Sequence, residues 1–323
     1  MTEPGTLTDP LLDEIDLNYE GRRVVAIGGG HGLAQALQAV GDYAGDITAV
    51  VAVADDGGSS GRLAPTLGIP PPGDIRRALL ALSPVPSRWR DLMEYRFERG
   101  DVAGHSLGNL IIAALTDQMG DFEGALQATG RMLGARGEVV PAASCRMELE
   151  AVIDGEVVRG QVAVAQARGE LTELRVLPKD AAASRSAVDA IAAADQIVLG
   201  PGSLFTSVCA VLAVPGIAAA VTGAAAQIVY VCNLTTQDGE TLGMDAADHL
   251  RALLRHGGIE CPGVVVAHEG ALEMPESVEA IVVDHEEIEA LGARVETGDL
   301  ADPVADWPQH DPARLGAVLR RLA

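Results

Sequence analysis

The residues of this sequence that could do chemistry lie in short polar and glycine-rich segments that follow apolar, β-branched runs. The first segment is residues 28–32, with three consecutive glycines, a histidine and a fourth glycine. Glycine lets the backbone approach a ligand closely, and the free amides at the start of the next helix favour an anion, most often a phosphate. The candidate ligand-binding residues here are Gly28, Gly29, Gly30, His31 and Gly32.

The spacing of these glycines does not match the common nucleotide-binding motifs. In the fingerprint Gly-x-Gly-x-x-Gly, either Leu33 or Gln35 would stand at the third glycine, depending on which glycine is counted first. The Gly-Lys-Ser/Thr of a P-loop is also absent. The loop therefore favours a nucleotide of some kind over an ordinary NAD site. A tight strand-to-helix turn without a ligand stays open as the alternative.

Two adjacent carboxylates, Asp55 and Asp56, follow the second β-branched run. An acidic residue at the end of a second strand often holds ribose hydroxyls, and two carboxylates beside a phosphate loop also suit Mg²⁺. A plain solvated turn is the alternative, because Asp, Gly and Ser are common turn residues. Metal binding by Asp55 and Asp56 is left open, and the segment adds Gly57, Ser59, Ser60 and Arg62 to the candidate ligand-binding residues.

Further candidates lie at predicted helix starts. Asp74 is expected to cap the helix that follows the proline run 70–72, and Arg76 could reach a phosphate, although a plain capped helix with solvated arginines is equally compatible. His105 and Asn109 are four residues apart and would share a helix face, and an amide inside an apolar helix needs partners.

A second glycine loop follows a later strand and adds Gly202 and Ser203, with Ser203 as the expected N-cap. Asn233 and Thr235 follow another strand, in a polar stretch that could also line the cleft. Because ligands gather at the carboxyl ends of parallel strands, we expect the two glycine loops to lie on the same edge of one sheet.

The elements that must position these residues alternate between strands and helices. Apolar runs at 24–27, 47–53, 196–199, 227–232 and 264–268 are typical of buried parallel strands, and residues 280–284 are predicted as a further strand. This alternation predicts an α/β, doubly wound, Rossmann-like domain over residues 21–323. The Asp154-Gly155 pair between alternating runs predicts an antiparallel hairpin insertion around 138–176. Residues 1–20 are acidic and are expected to form a mobile tail.

The amino-acid composition argues against several kinds of binding partner and structural site. The net charge of −23 argues against binding to nucleic acid or to an anionic membrane, because both depend on Lys and Arg. The four cysteines are scattered without a Cys-x-x-Cys pair, so neither a disulfide framework nor a zinc ribbon is indicated. The first twenty residues lack the apolar segment of a signal peptide, and we expect a cytoplasmic protein.

Taken in order, these motifs resemble the gluconeogenesis factor family, which is related in fold to 2-phospho-L-lactate transferase. The specific part of the resemblance is Asp-Asp-Gly-Gly-Ser-Ser-Gly-Arg at 55–62 together with Pro-Pro-Gly-Asp-Ile-Arg at 71–76. The chain departs from the family at His31, where many members have threonine.

The resemblance implies a regulatory protein that binds a nucleotide sugar such as UDP-N-acetylglucosamine. It also implies links to carbon metabolism, cell shape and the supply of peptidoglycan precursors, and no agreed enzymatic activity. A protein partner in cell-wall synthesis and a homo-oligomer are left open. The alternative is a Mg²⁺-dependent transferase that uses a guanosine nucleotide donor. The glycine- and serine-rich continuation after Asp56 favours the regulatory branch.

Overall fold

The computed structural model describes residues 21–274 and 277–323, so the predicted mobile tail at 1–20 lies outside the described residues. The strands are β1 (Arg22–Gly28), β2 (Ala44–Val51), β3 (Glu138–Pro141), β4 (Glu148–Ile153), β5 (Glu156–Arg159), β6 (Leu171–Leu177), β7 (Gln196–Leu199), β8 (Gln227–Val231), β9 (Val264–His268) and β10 (Arg294–Gly298).

Helices separate most of these strands. They are α1 (Gly30–Val40), α2 (Gly58–Leu67), α3 (Gly73–Ala81), α4 (Ser87–Glu94), α5 (Leu107–Met119), α6 (Phe122–Met132), α7 (Gln161–Gln166), α8 (Arg185–Ala193), a π-helical segment (Leu204–Cys209) that continues into α9 (Ala210–Leu212), α10 (Ile217–Gly223), α11 (Ala246–Gly257), α12 (His285–Ala290) and α13 (Pro312–Leu322).

Seven strands form the central sheet, in the order β10-β9-β8-β7-β1-β2-β3, and all of their pairings are parallel. Its inner strands are apolar and buried, as expected for a parallel sheet covered by helices on both faces. The chain builds outward from β1 in one direction through β3 and in the other from β7 through β10. The boundary between β1 and β7 is therefore the topological switch point, where ligands bind in such folds. The predicted α/β, doubly wound architecture is confirmed.

The two glycine loops follow β1 and β7, which are neighbours in the sheet. Because parallel neighbours end at the same edge, both loops lie side by side above the switch point. The prediction that they share one edge is confirmed, and this edge positions the candidate site.

The predicted hairpin is present as part of a small antiparallel sheet in the order β5-β4-β6. Asp154 and Gly155 connect β4 to β5, both with positive φ (49° and 84°), which is the backbone geometry that Asp-Gly favours in a two-residue hairpin loop. The predicted start at 138 was wrong, because residues 138–141 form β3 and pair with β2 in the main sheet. The small sheet runs from Glu148 to Leu177.

One predicted strand is absent and one observed strand was not predicted. Residues 280–284 form no strand; Ala280 makes only an isolated bridge with Thr235. The last strand of the sheet is β10, which pairs with β9. Its residues are half-buried or exposed, and the run Arg-Val-Glu-Thr-Gly lacks the apolar character of an inner strand. An edge strand needs less burial, so its pattern was too weak to detect.

Among the described residues, no single helix has the length and apolar character to cross a membrane. Leu204–Leu212 and Ile217–Gly223 meet those requirements only as a pair, and the two segments are bent by 76°.

We predict that Gly32→Ala destabilises the protein by about 1–3 kcal/mol, the usual cost of overpacking. A Cβ at this position would collide with the carbonyl group of Pro201 and lie 2.7 Å from Gly202 Cα, both backbone atoms of the neighbouring loop. Urea unfolding of the purified variant measures this change.

Gly223→Ala is the matched control for that substitution. Gly223 ends α10, and a Cβ there would have no heavy atom within 4 Å, so the change should be neutral or stabilise the protein by up to about 1 kcal/mol. Equal unfolding midpoints for the two variants would show that the loops do not pack as closely as described.

Candidate functional site

The second glycine loop is held in place by a side chain from a third strand end. The Oδ1 atom of Asn233 accepts a hydrogen bond from the Gly202 amide at 2.9 Å, and its Nδ2 atom donates to the Gly202 carbonyl at 2.9 Å. On its other side, Gly202 abuts Gly32 at the start of α1. The amide of Asn233, which follows β8, is therefore used to fix the second loop.

Two pockets open on either side of these loops, and they divide most of the predicted site residues between them. The first, of about 400 Å³, is lined by Gly30, Asp55, Gly57, Ser59, Ser60, Asp74, Arg76, Asn109 and Ser203. The second, of about 550 Å³, is lined by His31, Gly32, Gly202, Asn233 and Thr235. Five predicted residues line neither pocket: Gly28, Gly29, Asp56, Arg62 and His105.

A buried carboxylate faces the first glycine loop. Asp74 packs so closely that a Cβ on Gly29 would lie 2.7 Å from its Oδ2 atom, and it forms an ion pair with Arg77 at 2.6 Å. Burial and the neighbouring Asp55 raise the pKa of Asp74, while Arg77 and the Gly30 amide oppose the shift. The expected N-cap role was wrong, since α3 is preceded by Pro72 and Asp74 lies in its first turn. The start of α1 thus faces the protein's own carboxylate.

Arg76 is the residue of the first pocket best suited to bind an anion. It is only 4% exposed, it lines the pocket, and its Nε and Nη1 atoms are buried and have no hydrogen-bond partner within residues 21–274 and 277–323. Gly108 makes room for it, because a Cβ there would lie 2.7 Å from Arg76 Cδ. Burial lowers the pKa of Arg76 to about 10, so the guanidinium stays charged at neutral pH. Glu94 and Asp74 oppose the shift, but Arg76 forms no ion pair with any described residue. Burying a cation without such a pair is costly, and a phosphate or carboxylate would relieve that cost.

A hydrogen-bonded layer of hydroxyl and amide groups lies beside Arg76. Ser59 Oγ accepts from Asn109 Nδ2 at 3.0 Å and lies 3.0 Å from His105 Nδ1, while Ser60 Oγ accepts from the Gly73 amide at 3.0 Å. The Oδ1 atom of Asn109 is buried and accepts no hydrogen bond from any residue that the structure describes. A ligand group that donates a hydrogen bond would satisfy it.

His105 and Asn109 do not share a helix face, because α5 is capped by Ser106 and begins at Leu107. The two side chains still converge on Ser59. His105 thus contacts Ser59 but does not line the pocket.

The adjacent carboxylates point in different directions. Asp55 lines the first pocket and accepts from the Gly57 amide at 2.9 Å, whereas Asp56 accepts from the Val162 amide at 2.9 Å and anchors the start of α7. Within residues 21–274 and 277–323, no group of three or more His, Cys, Asp or Glu could hold a metal ion. Mg²⁺ is usually bound through one or two carboxylates and substrate phosphates, and Asp55 with Asp74 fits that requirement better than Asp55 with Asp56.

The second glycine loop has its own internal carboxylate. Glu240 is half-buried and accepts from Thr206 Oγ1 at 2.5 Å and from the Phe205 amide at 3.3 Å, and desolvation of its carboxylate raises its pKa. Ser203 makes no capping hydrogen bond, so its predicted N-cap role was wrong. It instead accepts from Gln237 Nε2 at 3.3 Å.

Arg62 lies away from both pockets, where its guanidinium donates to the Ala103 carbonyl at 2.7 Å.

The sequence analysis did not single out several residues that line the pockets: Arg77, Arg96, Gln161 and Thr206 in the first pocket, and Gln35, Trp307, Gln309 and His310 in the second. Only Gln35, a polar residue in a largely apolar helix, carried a local signal.

We predict that Asn233→Ala lowers the free energy of unfolding by about 1–3 kcal/mol, because two hydrogen bonds to the Gly202 backbone are lost. Asn233→Asp keeps the acceptor for the Gly202 amide but cannot donate to the carbonyl, so it should also be destabilised. Urea unfolding tests both variants. A ligand-binding defect without any change in stability would instead identify Asn233 as a direct ligand contact.

Comparisons with known proteins agree with this fold. The family model described as 2-phospho-L-lactate transferase CofD matches residues 24–301. A protein named gluconeogenesis factor from Halalkalibacterium halodurans is 41% identical over 280 residues, which is 84% of this chain and 87% of the relative. The gluconeogenesis factor of Bacillus subtilis is 40% identical over 307 residues, covering 92% of this chain and 96% of the relative.

Among solved structures, a crystal structure of a UPF0052 family member from Bacillus halodurans has a TM-score of 0.89. At 37% sequence identity, the match covers 93% of this chain and 99% of that chain. The chain therefore belongs to the CofD/UPF0052 family, and relatives that it matches over most of their length are named gluconeogenesis factor.

Proposed function

We propose that this protein is a regulatory protein of the gluconeogenesis factor type that binds a nucleotide sugar, of the UDP-N-acetylglucosamine kind, in the cleft formed by the two pockets. The observation that carries the proposal is Arg76, a buried guanidinium beside the two glycine loops at the switch point, two of whose nitrogens have no hydrogen-bond partner in the part of the chain that the structure describes. A phosphate group supplies the charge and the acceptor oxygens that this guanidinium requires.

Binding of the nucleotide sugar would regulate carbon metabolism, cell shape and the supply of peptidoglycan precursors. A protein partner in cell-wall synthesis would receive the signal. This part of the proposal extends the gluconeogenesis factor names of the relatives.

One observation favours a second candidate, a transferase that uses a guanosine nucleotide donor. Asp55 and Asp74 lie close enough for Asp55 to raise the pKa of Asp74, and both line the pocket that contains Arg76. A divalent cation there would neutralise the two carboxylates and phosphate oxygens. The family model that matches this chain is described as 2-phospho-L-lactate transferase CofD, so a transferase is compatible with this fold.

We predict that Arg76→Gln weakens UDP-N-acetylglucosamine binding by about 1.5–3 kcal/mol, the usual value of a charge-assisted hydrogen bond. Calorimetric titration measures the change. Arg88→Gln is the control, because Arg88 is exposed on α4 and lines neither pocket. The Arg88→Gln variant should bind UDP-N-acetylglucosamine with the affinity of the unmodified protein.

The thermal midpoint distinguishes the two candidates. At 100 times its Kd, a ligand stabilises the protein by about 2.7 kcal/mol. Stabilisation by UDP-N-acetylglucosamine without added Mg²⁺ supports the regulatory function. Stabilisation by GTP or GDP only in the presence of Mg²⁺ would contradict it and favour the transferase.

A further inference from the structure

The two pockets differ in charge. Three arginines line the first pocket, Arg76, Arg77 and Arg96, and they outnumber its two carboxylates, Asp55 and Asp74, of which Asp74 is paired with Arg77 at 2.6 Å. The described residues that line the second pocket include no Arg or Lys, and their one carboxylate, Asp238, is exposed and paired with Arg168 at 3.0 Å. The first pocket is therefore suited to an anionic group of a ligand, and the second pocket to an uncharged polar group.

An exposed tryptophan stands at the second pocket. Trp307 is 51% exposed and belongs to the segment between β10 and α13. The segment is closed at its base, where the Asp302 amide donates to the Gln309 carbonyl at 2.9 Å and the Asp311 amide donates to the Leu300 carbonyl at 2.8 Å. These bonds close the segment that carries Trp307, so that a half-exposed indole lines the second pocket.

The second pocket also offers a hydrogen-bond acceptor without a donor. Gln237 donates through Nε2 to Ser203, but its Oε1 atom is buried and accepts from no described residue. A buried carbonyl without a partner calls for an N–H or O–H group on a ligand. An aromatic face together with a polar edge acceptor is the combination that recognises a nucleobase.

We propose that the second pocket is the nucleobase subsite, with the base stacked on Trp307 and its ring N–H donating to Gln237 Oε1, while the phosphates extend toward Arg76. This inference rests on the proposed function and assigns the two ends of the ligand to the two pockets. Uracil carries a ring N–H at N3, and cytosine has a lone pair there. The subsite therefore favours a UDP-sugar over the corresponding CDP compound.

Intrinsic fluorescence tests this assignment directly, because the chain has two tryptophans, Trp89 and Trp307. Trp89 is exposed on α4 and lines neither pocket. In the Trp89→Phe variant all tryptophan emission comes from Trp307. Titration with UDP-N-acetylglucosamine should quench that emission with the same Kd that calorimetry gives, and UMP should quench it as well.

Affinity supplies the second measurement. Removing a stacking aromatic costs about 1–3 kcal/mol, so Trp307→Ala should raise the Kd for UDP-N-acetylglucosamine by about 5- to 150-fold, and Trp89→Phe should leave it unchanged. Gln237→Met removes the acceptor at similar size and should reduce the preference for UDP over CDP.

The outcomes separate this inference from the proposed function. If UDP-N-acetylglucosamine raises the thermal midpoint while Trp307 emission and the affinity of Trp307→Ala stay unchanged, the base assignment is overturned and the proposed function stands. Equal affinity for UDP and CDP in the unmodified protein overturns the role of Gln237. If no nucleotide raises the thermal midpoint, both the function and the assignment fail.

Discussion

The contact between the backbones of the two glycine loops is the constraint on which the site depends. At the start of α1, Gly32 packs against the carbonyl of Pro201, and no side chain fits between them. This approach is possible because β1 and β7 are parallel neighbours that end at the same edge. The loops separate the two pockets, so the arrangement of the candidate residues that line them depends on this contact.

Internal carboxylates change what the glycine loops can do. Free amides at a helix start attract anions, and here Asp74 faces the first loop while Glu240 accepts from the second. Burial raises the pKa of both acids. In the proposed complex the anion therefore binds Arg76 and not the loop amides, because two nitrogens of Arg76 have no hydrogen-bond partner among the described residues.

The small antiparallel sheet contributes a wall of the first pocket. Its helix α7 brings Gln161 and Val162 to the pocket, and Gln161 Nε2 donates to the Thr206 carbonyl at 2.7 Å. Asp56 holds the start of this helix through the Val162 amide. Asp55 and Asp56 thus have separate tasks: one faces the pocket, and the other attaches the insertion to the main sheet.

The sequence by itself determined the parallel sheet, the shared edge of the glycine loops and the hairpin at Asp154-Gly155. These features depend on short-range patterns, namely buried β-branched runs and turn residues, and on the rule that parallel neighbours end together. The tertiary structure alone decided that Asn233 fixes Gly202, that two nitrogens of Arg76 have no partner among the described residues, that Arg62 faces away and that Trp307 borders a pocket. Partners such as Asn233 and Gly202 are 31 residues apart, and their pairing depends on how distant elements pack, which local sequence does not encode.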